Sequence, residues 1–108
     1  MTRAVFTRSG GLLTGFLVTG HCTADGGDEA GRIACAAVSS AAYMTANTLT
    51  EIIGAAADIQ VDEAEGAMRL AVTSDPAPCQ ALLEGFLLHM QQLARMYEQQ
   101  IEVHAEVR

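Results

Sequence analysis

Apolar and polar positions at the start of the chain fall into two short runs. Residues 3–8 (Arg-Ala-Val-Phe-Thr-Arg) and 12–19 (Leu-Leu-Thr-Gly-Phe-Leu-Val-Thr) are rich in β-formers and flank the turn signal Ser9-Gly10-Gly11. That pattern predicts a β-hairpin, with Gly15 marking a weak point or a bulge in the second strand. From Ile33 to Ala56 the apolar residues Val38, Ala41, Ala42, Thr45, Leu49, Ile52, Ile53 and Ala56 recur at three- and four-residue steps. They predict a helix with a small-residue stripe, stopping near Gly54. Residues 59–63 and 67–73 form a second hairpin around Ala64-Glu65-Gly66, with Ile59, Val61, Met68, Leu70 and Val72 expected to face inward. Residues 78–100 carry the cleanest amphipathic pattern, through Leu82, Leu83, Phe86, Leu87, Met90, Leu93, Ala94 and Tyr97. Ile101, Val103, Ala105 and Val107 then alternate with Glu102, His104, Glu106 and Arg108, which predicts a last strand with one wet face.

The order is ββαββαβ, and hairpins separated by helices imply an α+β domain: a mostly antiparallel sheet with two helices packed on it. At 108 residues the chain has the size of one domain, 1–108, with one core. Trp is absent and Ala is abundant, so the core is expected to be built of small and aliphatic side chains.

Charge narrows the partners. A formal net charge of -7 argues against direct nucleic-acid binding, which draws on clustered Lys and Arg, and favours encounter with a basic partner. No apolar run approaches the roughly 20 residues of a membrane span, and the first residues show no secretory pattern. Three cysteines, Cys22, Cys35 and Cys79, are an odd number without a secretory signal; free thiols in a reducing, cytoplasmic setting are expected.

The connection from Gly20 to Gly31 has four glycines in twelve residues and separates His21 from Cys35. Loops of that length inside small domains are usually functional or disordered. Cys35 falls in the first turn of the first helix if Gly31 or Arg32 is the cap. Unpaired helix amides and the positive helix end would there favour a thiolate and receive an oxyanion. His21, at a strand end, would be its general base. The bland alternative is that Cys35, on the stripe of Val38 and Ala42, is a small buried hydrophobe. Cys22 is an alternative thiol, but adjacent residues on a strand are expected to face opposite ways, which sets it apart from His21. A zinc site from His21, Cys22, Cys35 and Cys79 lacks the usual close ligand pairing. Cys79 reads as structural, His89 and His104 as solvent-facing, and Met44, Met68, Met90 and Met96 as core or dimer packing.

Val18-Thr19-Gly20-His21, a glycine-rich loop and then Ile33-Ala34-Cys35-Ala36-Ala37-Val38-Ser39-Ser40 together resemble the signature of the ribosomal-processing cysteine protease (Prp) family. The resemblance implies Cys35 as nucleophile and His21 as base, with no metal and no cofactor. Gly20, Gly26, Gly27, Gly31, Ala36 and Ser39 would then border the substrate. It further implies removal of the N-terminal extension of the bacterial large-subunit ribosomal protein L-twenty-seven, just after an aromatic pair, by a homodimer. Three positions depart from the family pattern. Arg32 stands where the family usually has Asp, leaving Asp28 or Glu29 to supply an orienting carboxylate. The loop is about two residues longer than usual, and Cys22 replaces a common Ala. Two alternatives stand beside the peptidase: a non-catalytic relative that binds peptide or ribosomal protein, and a structural dimer with a buried Cys35.

Overall fold

The computed structural model describes residues 1–20 and 29–108. The expected element order is present: β1 (Thr2–Ser9), β2 (Leu12–Thr19), α1 (Glu29–Asn47), β3 (Ala57–Asp62), β4 (Ala67–Val72), α2 (Gln80–Met96) and β5 (Ile101–Val107). The strands form one sheet in the order β3-β4-β2-β1-β5. Every neighbouring pair is antiparallel except β1 with β5, which are parallel. A parallel pair needs a crossover, and α2 lies on the path into β5.

Two features tie β2 to its neighbours. Its pairing with β1 shifts between Thr7 and Arg8, where Thr7 faces Gly15 and Arg8 faces Leu13, so Thr14 is the extra residue of a bulge. Gly15 beside it has a second reason to be glycine: a Cβ there would run into the Leu70 carbonyl oxygen of β4. The bulge also exposes the backbone of Leu13 to Gln80 at the start of α2. The Leu13 N–H donates to Gln80 Oε1 at 2.8 Å, and Gln80 Nε2 donates to the Leu13 carbonyl at 2.8 Å. This amide-to-backbone pair clamps α2 onto the sheet. Gln80→Ala is expected to lower unfolding stability by about 1–3 kcal/mol, since it strips partners from a partly buried backbone. Urea denaturation with an unchanged m-value checks it.

Both helices cover one sheet face. Ala4, Phe6, Phe16, Val18, Met68, Leu70 and Ile101 are buried beneath Ala34, Val38, Ala42, Leu49, Leu83, Phe86, Leu87 and Met90. Phe6, Phe16 and Phe86 form the centre, with ring centroids 4.9–6.0 Å apart in tilted and edge-to-face arrangements. On the opposite face Arg3, Val5, Thr7, Leu17, Arg69 and His104 are half-buried or exposed. Met68 and Met90 belong to the core, whereas Met44 and Met96 are exposed.

Three expectations need correction. The first helix begins at Glu29, not near Ile33, so Gly31 and Arg32 lie inside it. It then widens into a π turn over Thr48–Ile52 and ends before Gly54. Thr45, Thr48 and Thr50 hydroxyls donate to the carbonyls of Ala41, Met44 and Ala46, a back-bonding pattern that bends helices. Ile52 closes the π turn and is 79 % exposed, off the predicted stripe. The second helix ends at Met96; its amphipathic pattern continues into a turn whose Tyr97 carbonyl accepts the N–H groups of Gln100 and Ile101. Ile59 and Val61 do share a face with Leu70 and Met68, which they oppose, but β3 is an edge strand and both remain exposed. The helix layer does not reach that edge.

Candidate active site

Among the described residues, the corner between α1 and the β3–β4 hairpin holds a cleft of about 250 Å³. Val18, Val38, Ala42 and Met68 supply its apolar walls, and Cys35, Ser39 and Tyr43 border it from α1. These α1 residues are spaced at three, four, seven and eight positions, one stripe of the helix. The same stripe that buries Ala34 and Val38 therefore brings the half-buried Cys35 to the cleft. Across from it, Val61, Asp62, Glu63 and Gly66 come from the hairpin. The Asp62 carboxylate accepts the N–H groups of Ala64 and Glu65 at 3.1 and 3.2 Å, which fixes the turn. Glu63 and Glu65 are exposed beside it.

Gly20 closes the cleft at the end of β2. Its φ is +92°, and a Cβ would run into the Met1 carbonyl oxygen, so only glycine lets β2 end against the start of β1. His21 follows it directly in sequence. His21, Cys22, Gly26, Gly27 and Asp28 lie outside the described residues, and so does the expected His21–Cys35 dyad.

Cys35 is the seventh residue of α1 rather than one of its first turn. Its own N–H belongs to the helix ladder, and the amides without an intrahelical acceptor lie a turn earlier. The expectation that helix-end amides surround the sulfur is corrected to this extent. Helical side chains lean toward the N-terminus, so the thiol still inclines toward that turn. Ser39, one turn after Cys35, borders the cleft as expected; Ala36 is exposed and is not among the cleft residues. Gly31 is half-buried in the first turn of the helix.

The other candidates separate cleanly. Cys79 is fully buried in the core, and burial, with a smaller contribution from the Asp75 charge, pushes its thiol pKa up. That is the behaviour of a structural cysteine. His89 is exposed on α2, and His104 lies half-exposed on the open sheet face, 3.5 Å from Glu102. Among the described residues no cluster of His, Cys, Asp or Glu has the arrangement of a metal site, and no helix is long and apolar enough to cross a membrane. Sequence reasoning missed Tyr43, Val61 and Met68 as cleft residues. Tyr43 was within reach, standing eight residues after Cys35 on one helical stripe; the hairpin residues depend on tertiary placement.

Comparison with known proteins agrees with this architecture. SMU.848 from Streptococcus mutans superposes with a TM-score of 0.88 at 28 % identity, covering 100 % of this chain and 99 % of that one. The S. aureus ribosomal processing protease Prp, solved in complex with a substrate peptide, superposes with a TM-score of 0.87 at 22 % identity, covering 98 % of this chain and 100 % of its own. The same S. aureus protease with a covalently linked product peptide gives a TM-score of 0.84 at 21 % identity, with the same coverage. No curated protein matches the chain. The family model for cysteine protease Prp matches residues 1–102, nearly the full length, and the chain belongs to that family of cysteine proteases.

Proposed function

We propose that this protein is a cytoplasmic cysteine endopeptidase that removes the N-terminal extension of the bacterial large-subunit ribosomal protein L-twenty-seven, with Cys35 as nucleophile and His21 as general base. The observation that carries the reading is the place of Cys35: half-buried, and open to a cleft whose far end is Gly20, the residue before His21. A sulfur sealed in the core, as Cys79 is, would not support it.

The chemistry follows from those groups. His21 takes the thiol proton, and the Cys35 sulfur attacks the carbonyl carbon of the scissile peptide bond. The resulting tetrahedral oxyanion collapses, the C–N bond breaks, and the imidazolium gives its proton to the leaving amine. Water, deprotonated by the same imidazole, then hydrolyses the thioester and restores the thiol. Asp28 is the candidate for the carboxylate that orients the ring, in place of the family Asp where Arg32 stands. The cleft is smaller than the roughly 300–1,000 Å³ of small-molecule sites and suits one or two side chains of a peptide. Its apolar walls favour an aromatic residue before the cut. The glycines Gly20, Gly26 and Gly27 would allow the backbone of the connection to approach the bound peptide closely, whereas Gly31 belongs to α1. The net charge of -7 favours encounter with a basic ribosomal protein. Two copies of the chain are proposed to associate as a homodimer.

The test is cleavage of a synthetic peptide that contains an aromatic pair from such an extension, followed by mass spectrometry. Wild-type protein is expected to cut once, after the pair. His21→Ala is expected to retain peptide binding and lose turnover by about 10²–10⁴-fold, the usual contribution of a general base. Binding without any cut by the wild type would favour the non-catalytic reading.

A further inference from the structure

Among the described residues two polar side chains are buried, those of Thr2 and Thr45. The Thr45 hydroxyl donates to the Ala41 carbonyl of its own helix at 2.7 Å. Thr2 is different. Its backbone N–H donates to the Gln100 carbonyl at 2.8 Å, but among the described residues its hydroxyl has no hydrogen-bond partner. No sealed side-chain oxygen or nitrogen among those residues is left unpaired, so the Thr2 oxygen is one that the cleft still reaches. A hydroxyl in such a place is served by water or by a ligand.

The strand register shows why it is open. Thr2 lies on the helix face of β1, in line with the buried Ala4 and Phe6. Arg3 pairs with Thr19, so Thr2 comes opposite Gly20, which has no side chain to cover it. Together with Val18 and Met68, Thr2 belongs to the sheet floor of the cleft, whereas Cys35, Val38 and Ala42 come from α1. Ser39 and Tyr43 also bring hydroxyls to the cleft, but both residues are exposed and bulk water satisfies them.

We propose that the Thr2 hydroxyl sets specificity by hydrogen-bonding the phenol of a tyrosine in the cleft, so that the protein prefers Tyr to Phe before the cut. On the peptide-cleavage reading of the cleft, on which this rests, the scissile carbonyl lies at Cys35 on the helix side. A neighbouring side chain that enters the cleft then runs from the helix toward the sheet. Its body passes Val18, Val38 and Met68, and its tip arrives at the floor, where Thr2 is the buried polar group. A ring with a hydroxyl at its far end matches that order of surfaces, apolar along its length and polar at the tip. A threonine hydroxyl both donates and accepts, so it suits a phenol in either direction. Phe would displace water from Thr2 without replacing its hydrogen bond. A cationic tip finds no carboxylate on the floor, since Asp62 and Glu63 stand exposed on the hairpin.

The experiment uses two peptides that differ only in Tyr or Phe before the cut, with wild type, Thr2→Val and Thr2→Ser. Wild type is expected to favour the Tyr peptide about 3–10-fold in kcat/KM and in affinity, the size of one neutral hydrogen bond. Thr2→Val keeps the shape and loses the hydroxyl, and its ratio is expected to fall to about one. Thr2→Ser keeps the hydroxyl and is expected to keep the preference. The thermal midpoint of Thr2→Val is expected to equal that of wild type or exceed it, since no hydrogen bond within the free protein is lost. A merely structural hydroxyl would lower the midpoint and leave the ratio unchanged. Equal use of both peptides by wild type, a Tyr preference that survives in Thr2→Val, or a lowered midpoint in that variant would each overturn the proposal. Affinity is read by fluorescence anisotropy of labelled peptides and needs no turnover. Binding without cutting would therefore refute the reaction and still test Thr2, and binding of neither peptide would refute both.

Discussion

Cys35→Ala is expected to remove peptide cleavage by at least about three orders of magnitude, while far-UV circular dichroism and the thermal midpoint stay close to wild type. Loss of a nucleophile that acts as a unit with its base costs nearly the whole of covalent catalysis. The fold is expected to survive because the thiol is only half-buried at a cleft wall, so its removal leaves no closed cavity. Single-turnover assays at high enzyme concentration measure the first part, and thermal melting measures the second. A variant that still cleaves at the wild-type rate would move the nucleophile elsewhere, with Cys22 the next thiol to substitute.

Gly20→Ala is expected to produce the largest stability loss of any exchange of Gly for Ala outside the sheet interior, about 2–5 kcal/mol. A non-glycine residue in the left-handed region costs about 1–2 kcal/mol, and forcing atoms into a packed site adds about 1–3 kcal/mol. Both apply, because Gly20 has φ +92° and its Cβ would meet the backbone of Met1 and Thr2. Gly54→Ala is the matched control. It has φ +78° but nothing within 4 Å of the added carbon, so only the conformational cost applies. The difference between the two thermal midpoints isolates the clash, at roughly 4–8 °C per kcal/mol for a domain of about this size. Equal midpoints would mean that β1 and β2 part without cost at the cleft. Since Gly20 borders the cleft and precedes His21, the same variant is expected to lose cleavage as well as stability.

The local code was readable wherever the pattern period and the environment agree. The β-formers of β1, the alternation of β4 and β5 and the long apolar stripe of α2 fixed those elements within a few residues, because one face of each meets the core. Gly15 announced the bulge that falls beside it. The reading failed where tertiary placement decides. Ile59 and Val61 alternate like buried residues, yet the helix layer stops short of β3. Ile52 fits a straight helix, but it closes the π turn and is exposed. Gly31 looked like a cap and is helical, since a Gly in a first turn is tolerated when the flanking residues favour the helix. At the site, Cys35 and Gly20 were legible from a motif, and Ser39 and Tyr43 follow from helical spacing. Asp62, Glu63 and Met68 join them only because β4 pairs with β2.

The parallel pairing of β1 with β5 has a kinetic consequence. Thr2 meets Ile101 and Arg8 meets Val107, so partners lie 99 residues apart along the chain. Each hairpin can close on itself early, yet this ladder must wait until a loop of nearly the whole molecule has been drawn together. The entropy of that closure is lost before the contacts return anything, which raises the relative contact order and slows folding compared with a helical bundle of equal length. Until then β1 stands with one side open, a strand edge that is bare in the nascent molecule and covered in the mature one.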